Sequence, residues 1–377
     1  MVQKQDKRDA ENLILIEETY ESSNDTTDIK IPFDPKEINI TVEPKTIGQL
    51  VSRLEEGEID LNTEFQRKGN LWPPDVMSRL IESILLRFPL PTFYFDAEND
   101  DKWLVVDGLQ RLGTLQRFVV EKDPRKKLFL QGLEILKDFE GLSYDELNRT
   151  MQRRIQETQV ITYIIKPGTP KKVKYNVFKR INTGGLMLNP MEIRHALNQG
   201  YAADFLREVS EDHRFKKYVK VQDKRMQDRE LILRYVAFSL NSYKKYEKPL
   251  SGFLDKAMEQ LGEISDLERR ELEENLYRAL NIMNKLFGKH AYARSVANDK
   301  MGTMLNSALF EVWTSQIAKL NDLQQQAICN SQNQLLIIYK RLFESERFET
   351  SISRSTSDYS SVEERFSKIE NLIQQFL

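Results

Sequence analysis

The chain has 377 residues, 40% of them hydrophobic, which is enough for two ordinary domains and excludes a small fold held together by staples. Lys and Arg total 56 against 58 Asp and Glu, so the net charge of −2 is a near cancellation; taken whole, the protein is neither a basic nucleic-acid binder nor an acidic solvating chain. The single cysteine, Cys329, excludes an intramolecular disulfide framework and a Cys-rich zinc module, and the scattered His195, His213 and His290 argue against a His-clustered metal site or an HNH nuclease core.

In chain order, Met1 to Lys30 holds eight acidic and four basic residues around Ser22–Thr27, and residues 1–41 read as an acidic mobile arm. From about Val42 the pattern is globular. Ile47, Leu50, Val51 and Leu54 recur at helical spacing and Gly57 follows as a stop. Pro73-Pro74 opens an amphipathic helix through Val76, Leu80, Ile81, Ile84 and Leu85, which Pro89 and Pro91 are expected to end. Thr92–Phe95 and Lys102–Val106 read as paired strands, and Gly108 is a tight turn into a helix that begins at once. A strand at Gln159–Ile165 and a helix opening near Pro170 follow. Asn189-Pro190-Met191-Glu192 sets a cap, a first-turn proline and a capping-box glutamate in order, so a helix runs to Asn198 with Gly200 behind it. Beyond it, 3.6-residue periodicity dominates to Leu377. The expected layout is an α+β domain over 42–200 and an all-α domain over 201–377.

Three segments bear chemistry. At Asp107-Gly108, a strand runs into a helix whose first turn offers unpaired amides to an anion. Arg111 adds a planar fork, and Gln110 and Thr114 add neutral contacts. Asp107 is suited to capping the helix, holding a metal ion or orienting water; plainer readings are a simple N-cap for Asp107 and a structural ion pair for Arg111. Gln66 and Arg67 form a second polar cluster, with a surface residue as the plainer reading of Arg67. Arg180, Asn182 and Thr183 crowd a helix end at Gly184-Gly185, where two glycines expose consecutive amides or simply stop the helix. Between Lys166 and Arg229, Lys and Arg exceed Asp and Glu by eight, which reads either as solvated helix faces or as a surface for phosphate backbones.

Phe65-Gln66-Arg67 with Trp72, Ser83–Leu86 with Pro89 and Pro91, Val105–Leu112, Phe178–Gly185 and Glu192 together resemble the ParB/sulfiredoxin-like domain at the front of GmrSD-type restriction endonucleases, whose central signature is Asp-Gly-Gln-Gln-Arg. Arg225–Arg234 and Arg365-Phe366 look like the helical continuation of such proteins, so the resemblance runs from Thr46 to the C-terminus. It implies a ParB-like α+β domain followed by helices; the HNH domain that many relatives carry behind it is missing here, a departure that the scattered histidines also indicate and that reads as a stand-alone member. It further implies binding of a nucleoside triphosphate (ATP, GTP or CTP) with magnesium, coupled in some members to hydrolysis and to DNA sensing in phage defence.

Carried over by position, Asp107, Gln110 and Arg111 are the expected catalytic residues, with Asp107 also the expected metal ligand. Gln66, Arg67, Gly108, Thr114, Arg180, Asn182, Thr183 and Gly185 are the expected nucleotide-binding residues. Leu109 stands where the family has its first glutamine, which weakens the case for hydrolysis more than for binding. The leading expectation is a nucleotide-binding, NTP-hydrolysing, DNA-associated protein using the basic stretch 166–229. Its rivals are a non-catalytic sensor of modified DNA or of a separately encoded nuclease, and a metal-dependent nuclease using Glu64 and Asp107. No apolar run of about 18 residues and no signal pattern occurs, so a cytoplasmic protein with no membrane partner is expected. The amphipathic run Val362 to Leu377 is available to pack on its own chain or on a second copy in a homo-oligomer.

Overall fold

The structure is a computed structural model that describes residues 16, 38–61, 72–181, 189–221, 225–298 and 303–377. The described chain separates into two compact units, one within 31–197 and one formed by residues within 198–377 together with Ile16.

The first unit is built on a five-stranded sheet in the order β1-β5-β3-β4-β2, formed by β1 (Ile40–Thr46), β2 (Ile59–Asp60), β3 (Phe93–Asp96), β4 (Trp103–Asp107) and β5 (Gln159–Ile165). β1 pairs antiparallel with β5, β5 parallel with β3, β3 antiparallel with β4, and β4 parallel with β2. The strands read at 92–95, 102–106 and 159–165 are present. β1 falls where the sequence reading saw only the onset of globular pattern; Pro44 in its middle is tolerated because β1 is an edge strand, where a missing N–H breaks no second ladder.

Alternation along β4 feeds two cores. Trp103 and Val105 pack with Phe93, Phe95 and α1 (Ile47–Glu55), α2 (Pro74–Leu85), α3 (Leu109–Leu115) and α4 (Arg149–Glu157) on one face. Val106 packs with Ile165, Phe178, Ile193 and Ala196, the last three supplied by α5 (Lys171–Ile181) and α6 (Pro190–Leu197), on the other. The capping box at α6 forms as read: Glu192 N donates to Asn189 Oδ1 at 2.8 Å and Asn189 N to Glu192 Oε2 at 2.6 Å. The end of α2 differs from expectation. The helix stops at Leu85, ahead of Pro89, because Arg87 takes a left-handed conformation with φ 62°. α3 runs on through a π-helical turn at Gln116–Val120 that buries Phe118 in the first core.

The second unit is helical, as expected: α7 (Tyr201–Glu211), α8 (His213–Tyr218), α9 (Gln227–Leu240), α10 (Leu250–Glu263), α11 (Asp266–Phe287), α12 (Ser307–Ala318), α13 (Asp322–Asn330), α14 (Gln332–Leu342), α15 (Glu346–Ser353) and α16 (Tyr359–Gln374). α16 buries Val362, Phe366 and Ile369 completely, so the C-terminal amphipathic run packs on its own chain. Ile16, within the segment read as an arm, forms a parallel bridge with Leu305. Among the described residues, no helix is long and apolar enough to cross a membrane.

Candidate functional site

The β4–α3 junction is tightly constrained. Gly108 has φ 98° and ψ 9°, a left-handed conformation that glycine adopts without a Cβ penalty, and a Cβ built there would be driven into the Phe93 ring. Gly108 is itself the N-cap of α3 and no side chain caps the helix, so Asp107 is not the plain N-cap. Asp107 instead pairs with Arg111, one turn along, Oδ2 to Nη2 at 2.8 Å.

Arg111 is 8% exposed and engaged at both Nη atoms. Besides Asp107, it donates to the carbonyls of Pro91 and Thr92, the latter at 3.0 Å, and its guanidinium lies over the Phe93 ring at 4.4 Å. Burial pulls its pKa below the usual arginine value while Asp107 opposes the shift; it stays charged at any physiological pH. The geometry therefore gives Arg111 the structural ion pair that was its plainer reading, and ties the signature to the loop that enters β3.

The neighbouring residues divide between scaffold and surface. Gln110 Oε1 accepts the Trp72 amide at 2.9 Å, tying α3 to the segment that leads into α2. Thr114 is wholly buried and donates to the Gln110 carbonyl at 2.8 Å, so it supports the helix from within. Leu109 packs against the first core. Arg180 is exposed at the end of α5, two residues beyond Phe178, and Phe178 shares its core with Val106 next to Asp107. The topology thus sends the end of α5 toward the strand that carries Asp107. Gln66, Arg67, Asn182, Thr183 and Gly185, together with Glu64, lie outside the described residues.

Two charged sites were not singled out in the sequence. Lys174, on α5, reaches both carboxylate oxygens of Asp96 at the end of β3, at 2.8 and 2.9 Å, and also Glu98. Burial raises the Asp96 pKa and the Lys174 ammonium works against it. A lysine on an apolar helix face and an aspartate closing Phe-Tyr-Phe-Asp were the available signals. The second is Glu82 on α2, which accepts the amides of Glu134, Ile135 and Leu136 at 3.0, 2.7 and 2.7 Å. Burial would raise its pKa, but these backbone donors outweigh burial and hold the carboxyl below its ordinary value.

Residues 47–199 match the family model described as GmrSD restriction endonuclease, N-terminal domain. Residues 47–199 therefore form a GmrSD N-terminal domain. It is a restriction-associated module, in agreement with the resemblance read from its signature. The match to the GmrSD N-terminal domain ends at 199, short of Arg225–Arg234 and Arg365-Phe366, which the sequence resemblance includes. No curated protein matches the chain.

In the helical unit those two arginine motifs meet. Glu311, fully buried on α12, receives Arg234 of α9 at 3.0 Å and Arg365 of α16 through Nε at 3.1 Å, and Arg365 Nη1 also donates to the carbonyls of Ser351 and Thr356. This is an interior ion network that fastens three helices, with no anion-binding surface at Arg365.

Proposed function

We propose that the protein is a DNA-associated component of a restriction or phage-defence system whose GmrSD N-terminal domain binds a nucleoside triphosphate at the β4–α3 junction. The observation that carries this reading is the uncapped start of α3 at left-handed Gly108, beside an Asp107 carboxylate held in place by Arg111. First-turn amides favour phosphate oxygens, and exposed Arg180 adds a cation from the end of α5. These groups fit a phosphate. Among the described residues no three His, Cys, Asp or Glu side chains could hold a metal ion unaided. A magnesium ion therefore fits as a partner of bound phosphates with Asp107 as its protein carboxylate, a common arrangement for this ion. Arg111 would act as the positioning residue for Asp107, since its own donors serve the loop and the ion pair.

For DNA, the basic stretch 166–229 sorts into interior and surface. Lys174, Arg194 and Arg229 are buried, and burial pushes Arg229 down to about 10. Arg207 and Arg214 are paired with carboxylates. Arg180, Lys216, Lys217 and Lys220 are exposed and form no ion pair among the described residues, leaving them as the cations available to phosphate backbones.

A second reading, nucleotide binding without turnover in a sensor module, is favoured by Leu109. It packs on the core at the position where the family signature has an amide that could orient water. Phosphate release from ATP, GTP and CTP, with and without DNA, separates the two. Hydrolysis requires turnover that Asp107→Asn removes, whereas a sensor binds nucleotide without turnover and gains it on Leu109→Gln. Equal turnover in wild type and Asp107→Asn would remove the junction from the chemistry.

A further inference from the structure

The stop of α2 is built against its own stability. Leu86 caps the helix, Arg87 N donates to Ile84 O at 3.0 Å and Phe88 N to Ser83 O at 2.9 Å, the two bonds of a Schellman turn. Such turns favour glycine at the left-handed residue and an apolar contact from the next residue back onto the helix. Here the left-handed residue is Arg87, at φ 62°, and the next is Phe88, which is 53% exposed. The tip is nonetheless held on both sides, by the turn and by Arg111 gripping the carbonyls of Pro91 and Thr92. α4 adds further cations, since Arg154 Nη1 donates to the Leu85 carbonyl at 2.9 Å and the adjacent Arg153 is exposed. Among the described residues, neither Arg87 nor Arg153 forms an ion pair.

We propose that this tip contacts single-stranded DNA, with Phe88 stacking on an unpaired base and Arg87 and Arg153 meeting the phosphodiester backbone. An exposed aromatic face beside unneutralised guanidinium groups is the chemistry by which proteins hold unpaired nucleotides: stacking supplies contact to any base and the cations track the phosphates. A left-handed arginine followed by an exposed phenylalanine, presented on a rigid turn, is preorganised for that contact. The inference rests on the DNA association proposed above.

The test is fluorescence anisotropy of full-length protein with labelled oligothymidylate, titrated across salt concentrations and competed with duplex of ordinary sequence. Phe88→Ala is expected to weaken single-strand binding by about tenfold. Arg87→Gly is expected to weaken it and lower the salt slope by about one phosphate contact. The same Arg87→Gly should raise the unfolding temperature, because glycine relieves the left-handed backbone, so lost affinity could not be assigned to misfolding. Wild-type affinity in both variants would overturn the assignment of the tip while leaving DNA association intact. Equal competition by duplex, with Phe88→Ala without effect, would likewise overturn it. Failure of the wild-type protein to bind any DNA would remove the underlying reading as well.

Discussion

Gly108 and Arg111 show how a short signature divides its labour. Gly108→Ala would place a Cβ in the Phe93 ring at a left-handed φ, and the combined backbone and overpacking cost is expected at about 2–4 kcal/mol, read from chemical denaturation. Arg111→Ala would strip donors from the Pro91 and Thr92 carbonyls and leave Asp107 without its partner; a loss of about 3 kcal/mol is expected by the same measurement. Loss of activity in either variant therefore says nothing about catalysis unless folding is measured alongside. Of these two roles, part was visible in the sequence: residues 107 and 111 stand at i,i+4 spacing, and a glycine between strand and helix implies a turn. The carbonyls that Arg111 grips lie nineteen and twenty residues upstream, and no local pattern indicates them.

Among the elements, periodicity located most helices because one face of each is buried, three strands stood out as aromatic and β-branched runs, and β1 escaped because a seven-residue edge strand with a central proline carries little of either signal. The junction between α2 and the 134–136 turn was equally hidden, since Glu82 reads as a solvent-facing residue on an amphipathic helix. Its folded pKa is depressed, so the stability it contributes is fully present above its ordinary value of about 4.5 and is lost as pH falls through the folded value. Glu82→Gln is expected to lower stability at pH 7 and to flatten the acid limb of the unfolding curve below about pH 4.5. An acid limb identical to that of wild type would show that the three amides do not depend on this charge.

Across the whole molecule, the near-neutral total conceals charges with different duties. In the helical unit, Glu311 answers two buried arginines that lie 77 and 54 residues away, so the motifs around Arg234 and Arg365 are legible as arginines but not as partners. Glu311→Ala leaves both guanidiniums without their carboxylate and is expected to destabilise this unit by about 3–5 kcal/mol in thermal or urea unfolding. In the GmrSD N-terminal domain, Arg111 and Thr114 of the signature are buried and belong to the framework of the β4–α3 junction. Asp107, half-buried at the start of α3, is the group on which the proposed nucleotide binding turns. Calorimetric titration of ATP, GTP and CTP with magnesium into wild-type protein and Asp107→Asn tests this most directly. Saturable nucleotide binding that falls at least about tenfold in a folded Asp107→Asn variant is the expected result. Absence of binding in the wild type, or equal affinity in the variant, would contradict nucleotide recognition at Asp107.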